Sequence, residues 1–109
     1  MNNKIPTTIY LMPGMAASSK IFELINFPSY YNVIYLKWIK PNKNETIKSY
    51  AKRMSTFIND VDPVLIGVSF GGILVQEISK HIKVKKLIII SSVKSKIELS
   101  LSMKFAKKP

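Results

Sequence analysis

The chain has 109 residues, 47% of them hydrophobic and 10% aromatic, which excludes a disordered polypeptide and leaves room for one small domain. It has no cysteine and a single histidine, His81, so disulfides, thiolate metal sites, a cysteine nucleophile and a multi-histidine metal centre are all excluded. Seventeen Lys and Arg side chains against six acids give a formal charge of +11, yet Arg53 is the only arginine. Readers of nucleic acid use the forked guanidinium for bidentate contacts. The lysines are also scattered, so the charge is read as a solvated face, with no specific nucleic-acid partner expected.

The first apolar stretch stops at Pro13-Gly14, and no apolar run approaches the roughly 20 residues of a membrane-spanning helix. A cytoplasmic protein without a membrane span is expected.

In chain order, Thr7 to Met12 reads as a strand ended by Pro13-Gly14. Ser18 or Ser19 can cap a short helix with Ile21, Phe22, Leu24 and Ile25 on its apolar face. Asn32 to Trp38 reads as a second strand, broken by Pro41-Asn42. Ile47, Tyr50, Ala51, Met54, Phe57, Ile58 and Val61 then form one stripe at helical period. Asn42, with Glu45 three residues on, or Asn44 is its expected cap.

Pro63 to Ser69 is a third strand, apolar on both faces; Gly71 to His81 is a helix; Val84 to Ser91 is a fourth strand of the same character. Strands apolar on both faces belong to parallel sheets covered on each side by helices. In the tail, Ile97, Leu99, Leu101, Met103 and Phe105 alternate with polar residues as a strand would, while Leu99, Met103 and Ala106 fit a helix face; a helix is expected.

One segment carries chemistry. Gly67-Val68-Ser69-Phe70-Gly71-Gly72 is G-x-S-x-G, set directly after a buried strand and directly before a helix. A sharp turn there lifts a serine hydroxyl out at the carboxyl end of the sheet. Glycines are needed because side chains would strike the neighbouring strand and helix. Phosphate-binding loops do not fit: position 69 is Ser where G-x-G-x-x-G requires Gly, and no G-K-[ST] follows.

Over residues 5 to 92 the chain resembles the α/β-hydrolase superfamily, in particular its small esterase- and lipase-like serine hydrolases. The run I-G-V-S-F-G-G-I-L-V-Q-E carries most of the resemblance, and Leu11-Met12-Pro13-Gly14-Met15 stands where that family has its oxyanion loop. The resemblance implies a parallel three-layer α/β sandwich, about four strands and three helices, with sheet order 2-1-3-4. It implies Ser69 as nucleophile and the backbone N–H groups of Phe70 and Met15 as oxyanion donors. Gly14 lets the backbone approach, Gly67, Gly71 and Gly72 are the motif glycines, and the substrate is a small acyl ester or thioester. No cofactor or metal is implied.

The family pattern places an acid and then a histidine after the nucleophile. Here Glu98 is the only acid after the fourth strand, and His81 stands at the far end of the helix that Ser69 starts, roughly 15–18 Å away at 1.5 Å per residue. Asp60 and Asp62 precede the third strand, at the opposite end of the sheet. The expectation is therefore the N-terminal part of a longer hydrolase, residues 1–92, followed by the start of a lid or an orphaned basic tail, 93–109. Such a chain lacks the triad acid and base and turns over negligibly, and its fourth strand would be an exposed apolar edge prone to aggregation. Two other readings stand beside it: a non-catalytic binding module of the same fold, and a basic surface for nucleic acid or membrane.

Overall fold

The computed structural model of the chain describes residues 6–14, 25–90 and 103–106. Its strands are β1 (Thr8–Met12), β2 (Asn32–Tyr35), β3 (Val64–Val68), β4 (Lys86–Ile90) and β5 (Met103–Ala106), and its helices are α1 (Ile47–Ser55) and α2 (Phe70–Ile78). They form one five-stranded sheet in the order β2-β1-β3-β4-β5, with β2, β1, β3 and β4 mutually parallel. The α/β class and the 2-1-3-4 order are thus those expected. The first expected helix, over residues 18–25, lies almost wholly outside the described residues.

β1 and β3 are buried along their whole length, β3 as its doubly apolar sequence requires and β1 with the polar Thr8 among its buried residues. One face of the sheet packs Tyr10, Met12, Leu65 and Leu87 against Tyr50, Ala51 and Met54 of α1 and Leu74, Val75 and Ile78 of α2. The other carries Ile9, Leu11, Ile66, Val68, Ile88 and Ile90, flanked by Ile25, Phe27, Tyr31 and Val33. Among the described residues, both helices therefore cover the same face.

Several boundaries differ from the sequence reading. β2 ends at Tyr35 and not at Trp38. Leu36 N–H still reaches the Leu11 carbonyl at 2.8 Å, but β1 stops at Met12 and the parallel partner runs out. α1 ends at Ser55, although its apolar stripe continues to Val61. The Ser55 and Thr56 hydroxyls donate to the Lys52 and Arg53 carbonyls, a local alternative to further helix. Ile58 is still buried, whereas Phe57 is 52% and Val61 89% exposed.

The cap of α1 is neither Asn42 nor Asn44. Thr46 fills that place, its Oγ1 accepting from Ser49 N–H at 3.1 Å. Asn44 occupies the left-handed region at φ 60°, and Asn42 N–H donates to Glu45 Oε1 at 2.9 Å, so this spacing closes a turn ahead of the helix. α2 likewise stops at Ile78, three residues short of His81.

The tail corrects a further expectation. Residues 103–106 are a strand and not a helix, paired antiparallel to β4 with Ile90 opposite Met103 and Leu87 opposite Ala106. The alternation of Met103 and Phe105 with their neighbours is thus the period that prevails. It also removes the expected exposed edge, because β4 is paired on both sides, by β3 and β5.

Candidate active site at the β3–α2 turn

Ser69 stands where β3 passes into α2, at the carboxyl end of the parallel strands. Met12 is in register with Gly67, and Val68 with Ile90, so Ser69 lies two residues past the last rung on the β1 side and one past it on the β4 side. Its N–H donates to the Ile90 carbonyl at 2.8 Å, which anchors the turn to β4. Its backbone is at φ 55°, ψ −122°, a combination that non-glycine residues seldom adopt and that costs about 1–3 kcal/mol. Strain of this kind persists only where the surroundings over-determine it, and here three contacts do so.

A Cβ on Gly67 would lie 2.3 Å from the Gly71 carbonyl oxygen. One on Gly71 would lie 2.5 Å from the carbonyl oxygens of both Met12 and Pro13. One on Gly72 would lie 2.8 Å from Cγ2 of Ile89. The glycines therefore let α2 start directly against β3 and against the loop after β1, and Ser69 is left exposed at the surface. No side chain caps α2. The first N–H groups of a helix have no partner within it and carry the positive end of its dipole. Phe70 is the first residue of α2, so its N–H belongs to this set.

The expected second oxyanion donor, Met15, lies outside the described residues. Gly14, just before it, is buried. The loop is nevertheless fixed from two sides: by the approach of Gly71 to the Met12 and Pro13 carbonyls, and by Trp38, whose indole N–H donates to the Pro13 carbonyl at 2.9 Å. The Trp38 ring also stacks on Phe70, with centroids 5.5 Å apart and planes 7° from parallel. Sequence reasoning placed Trp38 in β2 and gave it no part in the site. Its being the one tryptophan, at the end of the expected second strand, was the available signal.

Beside Phe70 opens a cleft of about 280 Å³, lined by Trp38, Ile39, Pro41, Ile47 and Tyr50, with Glu45 and Thr46 at one side. Tyr50 donates through its hydroxyl to the Ile39 carbonyl at 2.6 Å and accepts from Ile39 N–H at 2.8 Å, which fixes its ring. Glu45 is held by Arg53 through two contacts of 2.6 and 2.7 Å. The guanidinium hydrogen bonds, aided by Asn42 N–H, hold the Glu45 carboxyl down to about 2. The hydrogen bond to Glu45 in turn raises the Arg53 pKa.

The other titratable candidates stand elsewhere. His81 follows α2 at its end away from Ser69, and its buried Nε2 has no hydrogen-bond partner among the described residues. Asp60 accepts the Tyr10 hydroxyl, and Asp62 faces Lys83 at 3.9 Å; both precede β3. Among the described residues no three His, Asp or Glu side chains cluster to hold a metal. None of the described helices is long and apolar enough to cross a membrane. Of the lysines near the amino ends of the strands, Lys80 pairs with Glu77 at 2.8 Å and Lys85 reaches Thr7 Oγ1 at 3.4 Å.

No protein-family model matches the chain, and no curated protein matches it either.

Proposed function

We propose that this chain carries the nucleophile and both backbone oxyanion donors, Phe70 and Met15, of a serine acyl hydrolase of α/β-hydrolase type, acting on a small acyl ester or thioester. The observation that carries the reading is the backbone of Ser69. It is the residue at φ 55°, ψ −122° between a buried parallel strand and an uncapped helix, in a turn whose glycines admit no Cβ. A position used only for folding would be met more cheaply by glycine, so a serine kept at a strained and exposed place argues for its hydroxyl.

In this reading Ser69 Oγ attacks the acyl carbonyl carbon, its proton passes by way of a base to the departing alcohol or thiol, and water then cleaves the acyl-serine to release the acid and restore the hydroxyl. The developing oxyanion is met by the Phe70 N–H, with Met15 N–H as its partner donor. Two donors held before reaction need no reorganisation as charge develops. The Oγ proton requires a base within about 3 Å, and His81, beyond the 9 residues of α2, is roughly 15 Å off. The base therefore comes from outside these residues, and the chain by itself turns over negligibly.

A second reading, a non-catalytic binding module on the same fold, is favoured by that one observation: the single histidine stands at the wrong end of α2. A fluorophosphonate probe separates the two. Native protein from its source cells should be modified, with the adduct on Ser69 and none in Ser69→Ala. A folded protein that stays unmodified favours the binding module.

A further inference from the structure

The cleft beside Phe70 has no part in the chemistry derived for Ser69. Its lining is mainly apolar, and three of its residues are aromatic: Trp38, Tyr50 and Phe70. The three rings form a continuous surface, Phe70 parallel to Trp38 at 5.5 Å and Tyr50 inclined by 32° to Trp38 at 5.8 Å. The polar atoms nearby are already engaged. The Tyr50 hydroxyl is bonded to the Ile39 backbone, Glu45 to Arg53, Thr46 Oγ1 to Ser49 N–H and Trp38 Nε1 to Pro13. A charged ligand would find no free counter-charge on these walls and would lose its hydration. At about 280 Å³ the cleft stands at the small end of ligand pockets, with room for one ring and no long chain. Phe70 is a wall of the cleft and follows Ser69 directly in the chain, so the cleft shares one residue with the β3–α2 turn.

We infer that this cleft is the subsite for a small, uncharged aryl group on the substrate of Ser69, seated against the Trp38–Phe70–Tyr50 surface. Its role as a substrate subsite rests on the acyl-hydrolase reading; its ligand chemistry does not. Aromatic rings meet such a surface edge-on or offset, with a gain beyond simple burial that a saturated ring of similar size does not have.

Trp38, the only tryptophan, reports occupancy directly through its emission. Benzamide, an unreactive neutral mimic of an aryl ester, is expected to shift that emission saturably with a midpoint on the order of 1 mM, as suits a ligand of this size. Cyclohexanecarboxamide is expected to bind several-fold more weakly. Ile47, 37% exposed at the first turn of α1, lines the cleft. Ile47→Asp leaves the helix start favourable, since an acid suits that end of the dipole, but puts a charge on the wall. Benzamide binding should weaken at least tenfold in that variant. Phe70→Ala, removing one wall at a partly exposed position, should weaken it as well. No saturable response in the wild type, an equal response to the saturated ring, or binding indifferent to both Ile47→Asp and Phe70→Ala would overturn the aryl site. Protein that binds benzamide but resists the fluorophosphonate would support the aryl site while overturning the hydrolase reading. Protein that reacts at Ser69 but ignores benzamide would do the reverse.

Discussion

The indole N–H of Trp38 donates to the Pro13 carbonyl at 2.9 Å, tying the segment after β2 to the loop after β1. The same ring lies parallel to Phe70, so one side chain braces both loops that meet at Ser69. Trp38→Phe keeps a ring against Phe70 and removes only the donor. It should cost about 1 kcal/mol, the net worth of one such hydrogen bond, and lower Tm by roughly 4–8 °C. A thermal melt followed by circular dichroism measures this, and an unchanged Tm would mean that the bond does not hold the loop.

Ser69 should be replaceable by glycine with a gain in stability. At φ 55°, ψ −122° an alanine is strained as serine is, whereas glycine is not. Ser69→Gly is expected to exceed Ser69→Ala by about 1 kcal/mol after glycine's larger entropy loss is subtracted. Urea denaturation of the two variants reads the difference. Equal stabilities would remove the strain on which the functional reading depends.

The motif glycines should rank in cost by what a Cβ would meet. At Gly67 and Gly71 the obstacles are backbone carbonyls at 2.3 and 2.5 Å, which cannot move without shifting a strand or the helix start. Gly67→Ala and Gly71→Ala should each destabilise by about 4 kcal/mol, among the largest single-residue effects. At Gly72 the obstacle is a methyl of Ile89 at 2.8 Å, and a side chain can rotate or repack, so Gly72→Ala should cost about 1–3 kcal/mol. Denaturant midpoints for the three variants test the order.

Two groups set opposite pH limits. The Glu45 carboxyl is held at about 2 against an ordinary 4.5, so its contribution is complete above 4.5 and is lost as pH falls toward 2. The Tyr10 hydroxyl, buried and donating to Asp60, is pushed up from 10.0 to about 12. Its contribution is complete below 10 and is lost as pH rises toward 12. Arg53→Gln should flatten the acid limb of the stability profile and leave the alkaline limb, and Tyr10→Phe should do the opposite. Denaturant midpoints across pH separate the two limbs.

The elements that could be read from sequence are those whose period or chemistry is local. β1 announces itself as a short β-rich run ended by Pro13-Gly14, β3 and β4 as runs apolar on both faces, and Ser69 by two glycines at fixed offsets from a strand and a helix. The misread features depend on competition or on distant partners. The α1 stripe runs through Ser55 and Thr56, but their hydroxyls turn back to the Lys52 and Arg53 carbonyls and end the helix. Asn42 and Asn44 carry the better capping side chains by composition, yet Thr46 holds the place because its oxygen reaches Ser49 N–H. Residues 103–106 fitted two periods; pairing with the apolar edge of β4, which the sequence reading expected to stay exposed, decides for the strand. Trp38 joins the site only because the β1–β2 register, with Leu11 opposite Tyr35, carries it over Pro13.

The central claim is that Ser69 is a nucleophile. Its most direct test is mass spectrometry of the Ser69 peptide after the full-length protein isolated from its source cells, which the proposal expects to hold the missing base, has met a fluorophosphonate. The account predicts a single adduct on Ser69 Oγ, formed by the folded protein and abolished by prior unfolding. An unmodified Ser69 in folded protein, or modification at the same rate as in unfolded protein, would contradict it.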